Sequence, residues 1–143
     1  MAATSIRSHS MGMDSQGFTL IELLIALVIV ALLAGIAYPA YTGQVKKVYR
    51  VQIVALLSEQ AQHLERFYTR NGTFIDAGGV STGNDHYRIS AVLNPHDFVL
   101  LATPAFDSVM ADDACGQFSL TSTGLRSNPG AAPHMPLKAC WGQ

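Results

Sequence analysis

The chain has 143 residues and a mass of 15.3 kDa, enough for one small domain. Charged residues make up only 13% and the formal net charge is −1. This excludes a highly charged disordered chain and gives no global reason for nucleic-acid binding. Two cysteines are too few for a disulfide-dense miniature scaffold or a four-thiolate zinc site.

Residues 1–17 are short, polar and rich in Ser, Met and Gly, and no packed structure is expected there. Gly17-Phe18-Thr19-Leu20-Ile21-Glu22 follows. Leu23 to Tyr38 is then sixteen residues with no polar side chain except the tyrosine hydroxyl. Counted from Phe18, the apolar stretch reaches 21 residues, and about 20 span a bilayer as a helix. Three readings compete. A cleaved secretory signal would use the small residues near Gly35-Ile36-Ala37, but the run is long for one and carries Glu22 near its start. A plain membrane anchor explains the length and leaves Glu22 without a purpose.

The third reading is a resemblance. The string GFTLIELLIALVIVALLAGIAYPAY is similar to the N-terminus of type IV prepilins. That resemblance implies cleavage between Gly17 and Phe18 by a prepilin peptidase on the cytoplasmic side, and N-methylation of Phe18. Residues 1–17 would then be a leader, 18–40 a membrane and filament-core helix, and 41–143 a globular domain. Glu22 matches the family's glutamate at the fifth mature position. It would neutralise the new amine of a neighbouring Phe18 and so register subunits in a filament. Pro39 matches the family's helix-perturbing proline, with bending or melting expected near it.

The sequence departs from the family in two respects. Only Arg7 is basic in the leader, and Met11 and Met13 are alternative starts. Lys46, Lys47 and Arg50 also follow the apolar run, so the positive-inside rule alone would place the C-terminal side in the cytoplasm. The resemblance places it in the periplasm.

From Tyr41 to Arg70 the pattern is helical. Tyr49, Ile53, Leu56, Leu57, Leu64, Phe67 and Tyr68 form one apolar stripe, with Val51, Val54 and Ala61 off it. Apolar residues on two sides suit a helix lying between a sheet and other subunits. Asn71-Gly72 is a stop signal. A continuous helix from Phe18 to Tyr68 would run about 75 Å, too long to fit within a 15 kDa globule.

Thr73–Asp85 reads as a glycine-rich loop. His86–Leu93 alternates as a half-buried strand. Asn94–Asp97 turns. Phe98–Thr103 is apolar on both faces, as a central strand is. Gly116–Thr121 alternates, Thr123-Gly124 turns, Leu125-Arg126 extends the pairing, and Ser127–Pro136 reads as a loop. The fold class is therefore α+β: a long N-terminal helix, apolar in its first half, packed on three or four antiparallel strands, as in type IV pilins.

Cys115 and Cys140 form the kind of pair found in exported domains, the alternative being two buried thiols. A bond would close a 26-residue loop, worth roughly 3–4 kcal/mol. Its layout resembles the C-terminal disulfide loop of type IV pilins. Asp113-Ala114-Cys115-Gly116-Gln117-Phe118-Ser119-Leu120, Gly124 and Cys140-Trp141 look most like PilE-type minor pilins.

No nucleophile–base pair, phosphate loop or zinc spacing stands out, so no enzyme, cofactor or metal is expected. The five histidines are scattered and read as surface or loop residues. Asp107, Asp112 and Asp113 read as a solvated loop rather than a calcium site. Lys46, Lys47 and Arg50 read as a solvated face, the other occupants being anionic lipid, DNA or an acidic neighbour. The resemblance implies a minor pilus subunit that joins or primes the filament, with roles in motility and attachment. Its partners would be other pilins, the prepilin peptidase, the inner-membrane assembly platform and the membrane before assembly; nucleic acid stays open. The rivals are a type II secretion pseudopilin and a secreted or anchored binding module.

Overall fold

The computed structural model describes residues 17–142. The leader reading falls outside them except at Gly17. The chain divides into two units, one ending at Tyr38 and one beginning at Pro39. Helix α1 spans Leu20–Asn71, 52 residues without interruption. Within the first unit its side chains are all exposed.

α1 continues through Pro39, so the melting expected there is absent from this structure. The proline has no N–H for the carbonyl four residues back, at Gly35. One missing bond removes a single link of the helical ladder, and the turns on either side stay hydrogen-bonded in α1. Thr42 Oγ1 donates to the Pro39 carbonyl at 3.0 Å. The helix ends where the sequence predicts: Gly72 takes φ 71° and its N–H donates to the Tyr68 carbonyl at 2.7 Å. Such a left-handed residue after the last turn is the usual helix stop.

In the second unit, β1 (Tyr87–Leu93), β2 (Phe98–Pro104), β3 (Phe118–Thr121) and β4 (Arg126–Ser127) form one antiparallel sheet in chain order. β2 is interior, as its two apolar faces predict. Tyr87 and Ile89 of β1, Phe98, Leu100 and Ala102 of β2, and Phe118 and Leu120 of β3 are buried. They share one core with Ile53, Leu57 and Leu64 of α1. The rest of the predicted stripe, Tyr49, Leu56, Phe67 and Tyr68, is half-buried against this core, as are Val54 and Ala61. Val51 faces outward. Gln60 replaces an apolar residue on the buried face, and its Oε1 accepts the Ser81 N–H at 2.8 Å.

The loop between α1 and β1 returns along the outer edge of β1. Gly83 bridges Arg88, and the Ile89 N–H reaches the Thr82 carbonyl at 2.9 Å. A short helix absent from the sequence reading, α2 (Leu137–Trp141), closes the described chain and buries Cys140 and Trp141. Trp141 packs edge-on to Phe118 and donates its indole N–H to Asn128 Oδ1 at 2.8 Å.

Candidate functional site

The N-terminal segment is built from residues with nothing of their own chain to bury them. Phe18 is 76% exposed, and the apolar side chains from Leu20 to Ile36 are exposed with it. The helix is long and apolar enough to cross a membrane. A helix apolar all round is stable only where lipid or other apolar helices surround it.

Thr19 caps this helix: its Oγ1 accepts the Glu22 N–H at 3.3 Å, and its carbonyl accepts the Leu23 N–H at 3.2 Å. Thr19-Leu20-Ile21-Glu22 has the spacing of a capping box, with Glu22 in the first turn near the positive end of the helix dipole. Among the described residues a Cβ at Gly17 would meet nothing within 4 Å, so their packing does not demand glycine there. Gly35 and Gly43 are equally open. Small residues on a helix surface let another helix approach closely.

The second site is the disulfide-closed loop. Cys115 and Cys140 are bonded. Asp113, read from sequence as part of a solvated acidic loop, is instead buried. Arg50, read as part of a solvated basic face, holds it in a two-pronged ion pair. Nε donates to Oδ2 at 2.9 Å and Nη2 to Oδ1 at 2.6 Å. Asp113 Oδ2 also accepts the Cys115 N–H at 3.3 Å. The pair thus ties α1 to the residue that starts the disulfide loop. The two side chains are 63 positions apart in sequence, and no local pattern announces their pairing. Lys46 and Lys47 remain of the basic patch, with no ion-pair partner among the described residues.

Beside this pair, the His86 ring lies over Tyr49 with centroids 3.7 Å apart. The Tyr87 hydroxyl is buried without a hydrogen-bond partner. Burial pushes its pKa well above the ordinary tyrosine value; Asp113 adds to the shift and Arg50 opposes it. Among the described residues no cluster of His, Cys, Asp and Glu could hold a metal ion.

Residues 39–119 match the profile of a family described as type IV minor pilin ComP, DNA uptake sequence receptor. Residues 12–38 match the prokaryotic N-terminal methylation motif. The chain is 34% identical over 83 residues to fimbrial protein EcpC of Eikenella corrodens, covering 55% of this chain and 54% of that protein. It therefore spans about half the length of this curated relative.

A type IV pilin from Shewanella oneidensis superposes with a TM-score of 0.51 at 29% identity, over 64% of this chain and 96% of that one. The non-core minor pilin PilV of Neisseria meningitidis superposes at 0.54 and 20% identity, over 66% and 94%, and shares the fold. These findings favour the pilin reading over the pseudopilin and binding-module readings. With an exposed apolar helix, a helix-backed sheet and a family profile over residues 39–119, more than half of its length, the chain belongs to the type IV minor pilins.

Proposed function

We propose that this subunit is cut between Gly17 and Phe18, N-methylated on Phe18, and held in the inner membrane with its globular domain in the periplasm. It is then drawn by the assembly platform into a surface pilus used for motility and attachment. In this reading it is the substrate of a peptidase and not a catalyst. The observation that carries it is the fully exposed apolar helix with a single carboxylate, Glu22, in its first turn. Cleavage creates an amine at Phe18. In a filament core, where dielectric screening is weak, that amine needs the Glu22 carboxylate of a neighbour.

The test is Glu22→Leu. Insertion should be at least as good, since the helix becomes more apolar. The ratio of this subunit in sheared filaments to that in membranes should fall several-fold. An unchanged ratio rejects the pairing role and leaves Glu22 as a carboxylate at the membrane interface.

A second reading, DNA contact by the displayed domain, is favoured by the family profile over residues 39–119. Lys46, Lys47 and Lys138 are the cations we assign to it. The check is a DNA-binding titration across salt concentrations. Each lysine removed should flatten the salt slope by about 1. A slope indifferent to all three rejects this assignment.

A further inference from the structure

We propose that, before assembly, the globular unit leans on the phosphate headgroups of an anionic bilayer, held by Lys46, Lys47 and Lys138 with its α2 side toward the membrane. The charges of the chain are segregated in a way that suits this contact. Between Glu22 and Glu59 there is no acidic residue, and none follows Asp113. The fold brings these two acid-free segments together. Lys47, Arg50 and Val51 of α1 line one cavity of about 170 Å³ with Ala139, Cys140 and Gly142 at the end of α2.

Arg50 is already neutralised by Asp113. The three lysines have no carboxylate partner among the described residues. Lys47 and Lys138 are exposed, and Lys46 is half-buried.

The place of the lysines along α1 selects the occupant. Lys46 and Lys47 stand seven and eight residues beyond Pro39, about 11–12 Å along the helix axis. Helical side chains slant back toward the N-terminus, here toward the apolar run that precedes them. A lysine stem adds roughly 6 Å of reach in that direction. Both ammonium groups then enter a headgroup layer roughly 5–7 Å deep. Tyr41, just past Pro39, is exposed, and an aromatic followed by cations is the usual order of an interface anchor.

The lean follows from Lys138. A span's tilt is set by its interfacial anchors, and the α2 side carries a third cation that the other sides of this stretch lack. Headgroups also hold an advantage over nucleic acid as the occupant. Once the apolar run is inserted, they lie within reach at a fixed, high effective concentration, whereas DNA must arrive from solution. The inference rests on the reading of the chain as a membrane-anchored precursor, and it holds for either leaflet.

The experiment reconstitutes the full chain into lipid nanodiscs with dansyl-labelled headgroups. One set is phosphatidylcholine, the other an equal mixture of phosphatidylcholine and phosphatidylglycerol. Trp141 is the single tryptophan and sits in α2, so its energy transfer to dansyl reports the lean. Transfer should be higher in the anionic discs and fall to the neutral-disc value at high salt. Lys46→Gln, Lys47→Gln and Lys138→Gln should each lower the leaning population about fivefold relative to the upright one. Arg66→Gln with Arg70→Gln, which removes charge about 28 Å further along α1, should change nothing.

Co-elution with the discs but equal transfer in both lipids overturns the proposal alone. So does an equal fall with the Arg66 and Arg70 pair, which would reduce the effect to net charge. Loss of transfer on adding equimolar duplex DNA assigns the lysines to nucleic acid instead. Failure to co-elute with the discs overturns the anchored-precursor reading and this inference together. The salt titration uses the unaltered chain, so the result stands even where a lysine variant folds poorly.

Discussion

Arg50 and Asp113 form a two-pronged ion pair with N–O distances of 2.9 and 2.6 Å, and it joins the long helix to the disulfide loop. The Asp113 side chain is fully buried, and that of Arg50 is 12% exposed. A buried pair is not itself strong evidence of stability, but breaking one side of it leaves the other charge without a partner. Arg50→Ala should therefore destabilise the domain by about 3 kcal/mol, read from denaturant unfolding of the full chain in micelles. Arg50→Lys should recover only part of the loss, because an ammonium cannot make both prongs.

Reducing the Cys115–Cys140 bond frees a loop whose ends are 25 positions apart. The double variant Cys115→Ser, Cys140→Ser should lose roughly 3–4 kcal/mol. Near-ultraviolet circular dichroism at Trp141 should show α2 released before the sheet melts. Simultaneous loss of both signals would show that α2 and the sheet unfold as one unit.

Tyr87 sets an alkaline limit. Its folded pKa is raised by burial, so the unfolded chain gives up the phenolic proton first. The unfolded state then binds fewer protons, and stability falls with rising pH. This contribution is intact below about pH 10, the ordinary tyrosine value, and is lost as pH climbs beyond it. Tyr87→Phe removes a buried hydroxyl that has no partner. It should leave neutral-pH stability equal or higher and flatten the alkaline fall, as read by unfolding curves across pH.

Gly83 is constrained by both backbone and space. Its φ is 116°, and a Cβ would run into the Tyr87 carbonyl oxygen. Gly83→Ala should cost more than 1 kcal/mol, shown as a drop in melting temperature. Gly124→Ala, at φ 80° with open space around it, should cost less. Equal losses would mean that backbone strain alone matters at both positions.

At the proposed processing site the described residues make no demand on Gly17, since a Cβ there would meet none of them within 4 Å. Gly17→Val should leave folding unchanged and abolish the mature N-terminus at Phe18, as intact-mass spectrometry would report. A correctly cut Gly17→Val chain would remove the prepilin peptidase from this account.

Legibility followed the range of each interaction. The Asn71-Gly72 stop, the strand alternation and the interior position of β2 are local patterns, and the structure repeats them. Asp113 reads as part of a solvated loop because its aspartate neighbours suggest one, while its partner lies 63 positions away, across the end of α1 and two strands. α2 was missed because its five residues follow a proline-rich stretch and owe their helix to the packing of Cys140 and Trp141. Pro39 lies inside a helix that continues past it, which excludes melting in this structure and does not test bending.

The loop laid along β1 has a consequence for how copies of this domain meet. An open strand edge is a template for unwanted strand pairing between molecules. Here the Gly83–Arg88 bridge and the Thr82 carbonyl occupy part of that edge, and β4 at the other side is only two residues long. What remains open for strand pairing between copies is the far part of β1 beyond Ile89, a shorter template than the whole strand.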